Sequence, residues 1–270
     1  MEPTRDSSEL GVTWLGHATA RVDLDGVSVL TDPLLRSNLG PLHRYVPLPE
    51  ASTWAGVDLV LISHLHRDHL DVPSLRAVGL DVPVIAPQGS GALLRAAGCR
   101  AVVELAPGEV AMFGPLEVRA TSARHSGYRP PFGPRAHALG YVLRGRHTIY
   151  FAGDTGLFPE MAHLAAEDLD LALLPVGGWG PTLRGGHLDV VSAVEALRLI
   201  RPRAVVPVHW GTYWPRGLRR VRPERFARVG EDFARLAGAE VPDAPVALLR
   251  LGERRTFAGL EAPRRVERPR

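Results

Sequence analysis

Three histidines and an aspartate fall within the short segment "SHLHRDH" at positions 63–69. His64 and His66 are two residues apart, so on extended backbone their imidazoles point the same way and can reach one ion. Asp68 and His69 follow after a change of chain direction and can serve a second ion. The segment directly follows the apolar run "VDLVLIS", which is typical of a buried strand, and functional loops often follow such strands. We therefore predict a metal site here rather than a surface cluster of histidines.

One loop cannot complete two tetrahedral sites, so we expect further ligands at the ends of other strands. His125 follows "EVRATSAR", Asp154 ends "TIYFAGD" and His209 ends "AVVPVH". A lone histidine in such a place is more often a packed or hydrogen-bonded residue. Together with the first loop, however, these residues complete two sets of three ligands and a bridging carboxylate. Imidazole suits zinc, iron and nickel, and carboxylates add manganese to the metals that fit.

Apolar patterns predict the elements that must position these residues. Hairpins are expected to turn at Asp25-Gly26, at Gly114-Pro115 and near Gly145. Buried strands are expected at "VDLVLIS", "VPVIAP", "LDLALLP" and "RAVVPVHW", and "PVALLRLGERRTF" is expected to return a strand to the second sheet. Helices are expected at "DVPSLRAV" and at 88–97, 159–167, 189–200 and 222–237. This order predicts an α/β fold, an αββα sandwich of two mixed β-sheets packed face to face with helices on the outer faces.

The composition restricts the class of protein. A chain of 270 residues without a linker or repeat predicts a single domain over 1–270, with 1–10 and 258–270 as tails. Cys99 is the one cysteine, which excludes an intramolecular disulfide, and we expect it to be packed. With no signal peptide and no transmembrane run of about 18 apolar residues, a cytoplasmic protein is expected.

The charge balance bears on the expected partners. A net charge of +3 with dispersed arginines does not indicate a nucleic-acid partner, and no basic, aromatic-interleaved groove is evident. We expect a small-molecule substrate. A homo-oligomer is compatible with the sequence.

The segment "HLHRDHLD" resembles the H-x-H-x-D-H signature of the metallo-β-lactamase fold superfamily. The later histidine, aspartate and histidine match the motifs of that superfamily in order, and the resemblance runs from about Val12 to Trp214. It implies that one metal is held by His64, His66 and His125, that the other is held by Asp68, His69 and His209, and that Asp154 bridges them.

Other segments resemble one branch of the superfamily. "WLGHATARVDLDGVSVLTDPLL", "YFAGDTG" and "VHWGTY" are similar to the group that contains N-acyl-phosphatidylethanolamine phospholipase D and ascorbate-6-phosphate lactonase. "GGHLDVVSAVEAL" resembles a segment of that phospholipase whose histidine lies beside the substrate phosphate, which points to His187. Asp154 occupies the position at which true metallo-β-lactamases have a cysteine, and this argues against β-lactam hydrolysis.

The resemblance implies a hydrolase with two divalent metal ions. We expect zinc, with Mn2+ or Fe2+ as alternatives, and a hydroxide shared by the ions as the nucleophile. The catalytic residues would be Asp154 and Asp68, which orient this hydroxide, and His187, which donates a proton or hydrogen bond to the reacting group. The leading prediction is cleavage of a phosphodiester or a phosphate-bearing small molecule.

Three alternatives remain open. A lactonase or other carboxylic ester hydrolase would use the same metal site, and fewer arginines near the metals would favour it. A di-iron oxidoreductase is disfavoured because such proteins usually carry glutamate at the position of His66 and have an added flavin domain. A non-catalytic metal-binding module is disfavoured by the intact ligand set.

Further side chains are weaker candidates for the site. His17 is either a hydrogen-bonding neighbour of the ligands or a histidine packed at a strand end, while His43 and His137 are candidates to face the substrate. Arg36, Arg129 and Arg184 lie on loops expected around the metals, where a guanidinium can bind phosphate by two parallel hydrogen bonds. Trp179 and Tyr128 either line the pocket or pack on it. His147 and His163 are expected at the surface.

Overall fold

The structure is a computed structural model that describes residues 9–179, 183, 186–218 and 227–259. Arg184, most of the predicted tails and the start of the helix predicted at 222–237 lie outside the described residues. The first strand begins at Leu10, whose side chain is fully buried.

Sixteen strands and four α-helices are formed by the described residues. The strands are β1 (Leu10–Gly16), β2 (Thr19–Leu24), β3 (Val27–Thr31), β4 (Asn38–Leu39), β5 (Leu42–Arg44), β6 (Leu59–Leu61), β7 (Val84–Pro87), β8 (Val102–Leu105), β9 (Val110–Phe113), β10 (Leu116–Ser122), β11 (Leu139–Arg144), β12 (Thr148–Phe151), β13 (Leu171–Pro175), β14 (Val205–Val208), β15 (Tyr213–Pro215) and β16 (Arg254–Phe257). The α-helices are α1 (Val72–Val78), α2 (Gly91–Ala97), α3 (Val190–Ile200) and α4 (Val229–Glu240), and 3₁₀ helices span Ala51–Thr53 and Pro159–Glu167.

Two mixed sheets form the centre of the fold. The first has the strand order β16-β1-β2-β3-β6-β7-β8, antiparallel from β16 to β3 and parallel from β3 to β8. The second has the order β14-β13-β12-β11-β10-β9, with β12, β13 and β14 parallel and the other pairs antiparallel. A small third sheet, β15-β5-β4, lies beside them.

Apolar side chains fill the space between the two large sheets. Leu61 of the first sheet belongs to the same buried cluster as Val118, Phe151 and Leu173 of the second. Leu75 and Leu94 of helices α1 and α2 pack in a separate cluster on the first sheet. Residues of α3 and α4 form a third cluster against β12–β14. These layers confirm the predicted αββα sandwich.

The predicted turns and helix starts follow from local chemistry. Asp25 and Gly26 have φ of 50° and 79°, the positive values that a tight two-residue hairpin requires. Helix α1 begins after Asp71, whose carboxylate accepts a hydrogen bond from the Ser74 backbone N–H at 3.1 Å. Asp189 caps α3 in the same way, in a capping box with Ser192. The hairpins at Gly114-Pro115 and near Gly145 are also present.

Two expectations about the fold were wrong. The C-terminal strand β16 pairs with β1 of the first sheet, while only Val246 makes a bridge to Val205 of the second. This segment therefore passes from the edge of one sheet to the edge of the other. His147 is buried rather than at the surface, and its Nδ1 lies 3.5 Å from Oδ2 of Asp170.

The strand directions bring the polar loops together. Strands β3 and β6 are parallel, and β1 runs in their direction because β2 is antiparallel to both β1 and β3. In the second sheet, β10, β12 and β14 also share one direction. Loops that follow the carboxyl ends of parallel strands meet at one edge, which is where sheet proteins commonly bind ligands.

Candidate metal centre

His64, His66 and His125 form the first group of possible ligands. His64 and His66 follow β6, whereas His125 follows β10 from the opposite sheet. The Nδ1 of His66 lies 3.1 Å from Nε2 of His125, and the Nε2 of His64 is buried without a hydrogen-bond partner among the described residues. One ring nitrogen from each of these residues lies within 4.8 Å of the others. The predicted first set of ligands therefore converges on one point.

Asp68, His69 and His209 form the second group. The Nε2 atoms of His69 and His209 are 3.2 Å apart, and Oδ2 of Asp68 lies 3.5 Å from the first and 4.0 Å from the second. The His69 ring is fully buried, and the His209 ring is also inaccessible. His209 follows β14 with a φ of 64°, a left-handed conformation that a non-glycine residue rarely adopts.

Asp154 lies between the two groups. Its Oδ2 is 3.1 Å from Nε2 of His69, and its Oδ1 is 3.3 Å from Nε2 of His209. The nearest approach to the first group is 4.0 Å, from Oδ2 to Nε2 of His125. Gly153 makes this placement possible, because a Cβ there would come within 2.5 Å of Cβ of Ser63 at a φ of +58°.

Hydrogen bonds outside the cluster set the orientation of the imidazoles. The Nδ1–H of His69 donates to Oδ2 of Asp32 at 2.6 Å. Likewise, His125 donates to the carbonyl of Gly186 at 2.6 Å and His209 donates to the carbonyl of Gly177 at 3.0 Å. Because these partners only accept, each ring carries a proton on Nδ1 and directs Nε2 inward, the orientation found in metal-binding histidines.

The donor set fits a divalent cation. Ring nitrogens lie 3.1 Å apart in the pair His66–His125 and 3.2 Å apart in the pair His69–His209, so a single cation can contact both members of a pair. In a tetrahedral zinc site the bond lengths place ligand nitrogens about 3.4 Å apart, close to the separations seen here. The His/Asp cluster is therefore able to bind metal.

Burial and charge put most of these groups in the protonation state that metal binding requires. Burial holds the pKa of His64 and His209 well below the ordinary value and lowers the pKa of His66 to about 4, so these rings are neutral. For Asp68 and Asp154, burial raises the pKa, but the neighbouring imidazoles outweigh it and hold the pKa well below the usual range.

The His69 ring shows the electrostatic preference of the second group. Burial alone would lower its pKa, yet the carboxylates of Asp154, Asp68 and Asp32 raise the pKa well above the ordinary histidine value. The same carboxylates would stabilise a metal cation at this place. The cluster therefore combines neutral rings at His64, His66 and His209 with a negative field around His69.

A cavity of about 530 Å3 opens onto the cluster. His66, Asp68, Asp154 and His187 line it on the side of the cluster. The surrounding wall is largely apolar and includes Leu39, Pro41, Leu42, Pro130 and Trp179. Arg36 and Arg67 also contribute to the wall, so the cavity offers both an apolar surface and cationic groups.

Comparisons with known proteins agree with this geometry. Residues 28–210 match the family model described as a beta-lactamase superfamily domain. The chain belongs to the metallo-β-lactamase superfamily of metal-dependent hydrolases. It is 34% identical over 233 residues to an N-acyl-phosphatidylethanolamine-hydrolyzing phospholipase D of Caenorhabditis elegans, with 76% of this chain and 65% of that protein covered. It is 33% identical over 219 residues to a metal-dependent hydrolase of Thermoplasma acidophilum, covering 80% of this chain and 89% of the relative.

A solved structure shows the same fold. The metallo hydrolase from the archaeon Ignicoccus hospitalis superposes with a TM-score of 0.69 at 25% identity, over 93% of this chain and 99% of the other. The chain spans only 65–66% of the length of the first curated relatives that it matches. Among the described residues, no helix has the length and apolar character needed to cross a membrane.

The predicted ligand Asp68 is contacted by two side chains outside the predicted ligand set. His17 places Nε2 at 3.1 Å from Oδ2 of Asp68, and the indole Nε1–H of Trp179 donates to the same oxygen at 2.9 Å. The backbone N–H of His17 donates to Oγ1 of Thr212 at 2.7 Å, which fixes its turn after β1. His17 therefore contacts the ligand cluster and is not simply a residue packed at a strand end.

Other candidate residues have different roles from those expected. Arg129 is buried, and its guanidinium donates to the carbonyls of Leu65 at 2.6 Å and Leu70 at 3.0 Å. Its hydrogen bonds therefore stabilise the loop of residues 63–70, the ligand loop, and are not directed to an anion. Arg36 does line the cavity, but its Nε lies 3.6 Å from Oδ2 of Asp71 and its Nη2 donates to the carbonyl of Asn38.

The remaining histidines and Tyr128 are not among the residues that line the cavity. Nδ1 of His43 lies 2.8 Å from Oδ1 of Asn38, and both His137 and His163 are exposed. The ring of Tyr128 instead stacks against the guanidinium of Arg135, 4.8 Å from its centroid. Cys99 is buried, as expected, and burial raises the pKa of its thiol.

Three features of the site were missed from the sequence. Asp32 ends the stretch "VSVLTD" directly after β3, the same signal that indicated His125, Asp154 and His209. The expectation that a polar residue directly after a buried strand belongs to the site therefore applies to Asp32 as well. Arg67 lies in the sequence between the predicted ligands His66 and Asp68, and its side chain also lines the cavity. The small sheet β15-β5-β4, which brings Leu39 and Leu42 to the cavity, has strands of only two or three residues and so carries little pattern.

Proposed function

We propose that this chain is a hydrolase with two divalent metal ions, which we take to be zinc. His64, His66 and His125 would hold one ion, Asp68, His69 and His209 would hold the other, and Asp154 would contribute to both. The observation that carries the proposal is the pair of inward-facing nitrogen sets on either side of one buried carboxylate. Zinc is favoured because imidazole nitrogens outnumber carboxylate oxygens in this set.

When bound, two such ions lower the pKa of a water and polarise the oxygen of the scissile group. The remaining chemistry belongs to side chains of the cavity. Oδ2 of Asp68 contacts His17 and Trp179, and these contacts fix the orientation of the carboxylate. In this proposal the carboxylate orients the reacting water. Nε2 of His187 lies 3.4 Å from Oδ2 of Asp154. The His187 side chain is 25% exposed and lines the cavity. Its role in this proposal is to donate a proton to the leaving oxygen.

The substrate that we propose is a phosphodiester or a phosphate-bearing small molecule. Arg67 supports this choice, since it lines the cavity and, within the described residues, its guanidinium has no carboxylate within 4.0 Å. A guanidinium in that position can bind a phosphoryl oxygen by charge-assisted hydrogen bonds. The relative from Caenorhabditis elegans, named as a phospholipase D, also supports phosphodiester chemistry.

A lactone or carboxylic ester hydrolase is the second candidate. It is favoured by the apolar wall of the cavity and by Arg36, whose charge is already partly balanced by Asp71. A neutral ester needs less compensating positive charge than a phosphodiester anion does. The two candidates therefore differ in the charge that the cavity must accommodate.

Hydrolysis of bis(4-nitrophenyl) phosphate tests the proposal. The protein is loaded separately with zinc and with manganese, and the metal content of each sample is measured. We expect turnover that is lost in His64→Ala and retained in the matched control His163→Ala, whose histidine is exposed. Turnover of 4-nitrophenyl butyrate alone, at full metal occupancy, would favour the ester hydrolase instead. Failure to bind metal would overturn both candidates.

A further inference from the structure

A second cavity, of about 500 Å3, opens on the other side of His187. It is lined by Arg124, His125, Ser126, Gly156, Leu157, Gly186, His187 and Ser192. His187 lines the first cavity as well, and His125 of the first ligand group lines the second, so both cavities border the ligand cluster. A substrate that is cleaved at the metals can therefore extend into both.

The two cavities differ in chemistry. The first has five apolar side chains in its wall, from Leu39 to Trp179, whereas Leu157 is the one large apolar side chain among the described residues that line the second. Hydroxyl groups, glycines and an arginine form most of the second wall. The first cavity therefore suits an apolar group, and the second suits a polar one.

Arg124 is the arginine among the described residues that line the second cavity. It is exposed, and within the described part of the chain its guanidinium has no carboxylate within 4.0 Å. The backbone is fixed independently of the side chain, because its N–H donates to Oγ1 of Thr155 at 2.9 Å and its carbonyl accepts from the N–H of Gly156 at 2.9 Å. The side chain can therefore turn to a ligand without disturbing the neighbouring His125.

Asp189, which is bonded to the cavity residue Ser192, already accepts hydrogen bonds within the chain. Oδ1 of Asp189 accepts from the hydroxyl of Ser192 at 2.6 Å and from the Ser192 backbone N–H at 2.9 Å, in the capping box of α3. The negative charge of Asp189 therefore stabilises the N-terminus of α3. Among the described residues that line this cavity, Arg124 is the arginine whose charge is available to a ligand.

We propose that the second cavity binds a carboxylate on the leaving part of the substrate, held by Arg124. The substrate is then an ester whose leaving alcohol or phenol carries a carboxylate, while the other part is apolar and lies in the first cavity. This inference rests on the proposed hydrolase function. A guanidinium matches a carboxylate in charge and in geometry, through two parallel hydrogen bonds. A carboxylate carries one negative charge, which one guanidinium balances.

The cleavage step balances with water as the co-substrate. The water oxygen forms a bond to the carbonyl carbon or the phosphorus, and the bond from that atom to the leaving oxygen breaks. The electron pair of that bond goes to the leaving oxygen. His187 donates a proton to this oxygen and is reprotonated by the proton that the attacking water loses. The products are an acid and an alcohol that still carries its carboxylate on Arg124.

Paired esters test the inference. The 4-nitrophenyl and 3-carboxy-4-nitrophenyl esters of butyric acid and of methyl phosphate differ only in the carboxylate on the leaving phenol. We expect wild type to prefer the carboxylated member, and we expect Arg124→Ala to reduce the ratio of the two kcat/KM values about tenfold. Arg124→Lys should keep part of the preference. Arg76→Ala, which removes an exposed arginine of α1, should keep the wild-type ratio. A ratio unchanged in Arg124→Ala would overturn the proposal.

A binding measurement separates this proposal from the proposed function. The free product 3-carboxy-4-nitrophenol is titrated calorimetrically into metal-loaded wild type and Arg124→Ala, with metal content matched. If neither ester series is hydrolysed, the hydrolase function fails, yet binding about tenfold weaker in Arg124→Ala still supports the subsite. Equal binding overturns it. If Arg124→Ala does not retain metal, Ser126→Glu takes its place, since a negative charge in the same cavity should weaken binding comparably.

Discussion

The Nδ1–H of His69 donates a hydrogen bond of 2.6 Å to Oδ2 of Asp32, and both side chains are completely inaccessible to solvent. The same carboxylate accepts from the backbone N–H of Ser63 at 2.7 Å and from its hydroxyl at 2.5 Å. Asp32 thus joins the end of β3 to both ends of the ligand loop. It sets the direction in which the His69 ring presents Nε2 to the metal centre.

Replacing Asp32 with asparagine should weaken metal binding at the second group. The asparagine amide has no negative charge to stabilise the orientation and basicity of His69, and losses of such supports typically cost about 10-fold to 100-fold in metal affinity. Competition with a chromophoric chelator measures the change. Asp81→Asn is a suitable control, because the Asp81 side chain is 74% exposed and pairs with Arg100 at the surface. Equal affinities in wild type and Asp32→Asn would show that this hydrogen bond does not support the ligand.

Replacing His125 with alanine should remove one metal ion per chain. The ring supplies the ligand from the second sheet to the first group, and two histidines alone hold zinc weakly. Elemental analysis after dialysis gives the metal content directly. His137→Ala is the matched control, since His137 is exposed on the following loop. A His125→Ala protein with the wild-type metal content would contradict the assignment of this ligand.

Replacing His187 with glutamine should lower kcat without removing metal. His187 contacts Asp154 at the edge of the predicted ligand set, and loss of a proton donor commonly costs about 10²-fold to 10⁴-fold in rate. Turnover and metal content are measured on the same samples. Loss of an ion together with the activity would instead identify His187 as a ligand, in the group that it forms with His125 and Asp154.

Replacing Arg129 with methionine should weaken the ligand loop rather than alter preference for charged substrates. Its guanidinium donates to the carbonyls of Leu65 and Leu70 on either side of the ligand sequence. Burial lowers the pKa of Arg129, which shows that its charge is partly desolvated and that its hydrogen bonds matter. Metal affinity and KM for charged and neutral esters are compared. A selective rise of KM for the charged ester alone would restore Arg129 as an anion-binding residue.

The sequence predicts the two large sheets because their strands are bounded by clear turn residues. It also predicts which residues meet, since polar groups such as His125 and Asp154 directly follow buried strands. These signals are local, and each is strong enough to read from a few neighbouring residues. The convergence of those loops follows from strand direction, which the parallel order of the elements implies.

Other features depend on contacts between distant parts of the chain. Arg129 looks like a loop arginine that could bind an anion, but the loop packs back on Leu65 and Leu70 and uses the charge there. The C-terminal strand β16 pairs with β1 near the other end of the sequence, and nothing in its own pattern specifies that partner. His147 follows a polar turn, yet it is buried beside Asp170. Such outcomes are decided by tertiary packing rather than by local pattern.

The Asp23 carboxylate should make stability depend on pH near the acid end. Burial opposes its charged form, but the Ser28 hydroxyl at 2.6 Å and the guanidinium groups of Arg21 and Arg254 outweigh burial and lower the pKa below its ordinary value. Because the folded pKa is lower than the unfolded one, the ionised carboxylate stabilises the fold above the unfolded pKa. That contribution is lost as pH falls through the folded pKa.

Asp23→Asn should therefore be less stable than wild type at neutral pH, and the difference should shrink as pH falls below about 4. Arg254 belongs to β16, so the variant should also loosen the pairing of that strand with β1. Urea unfolding of metal-loaded protein at a series of pH values gives the difference in the free energy of unfolding. Asp81→Asn again serves as control, since an exposed pair contributes little at any pH. A difference that stays constant from neutral to acidic pH would mean that the ionised state of Asp23 does not stabilise this edge of the sheet.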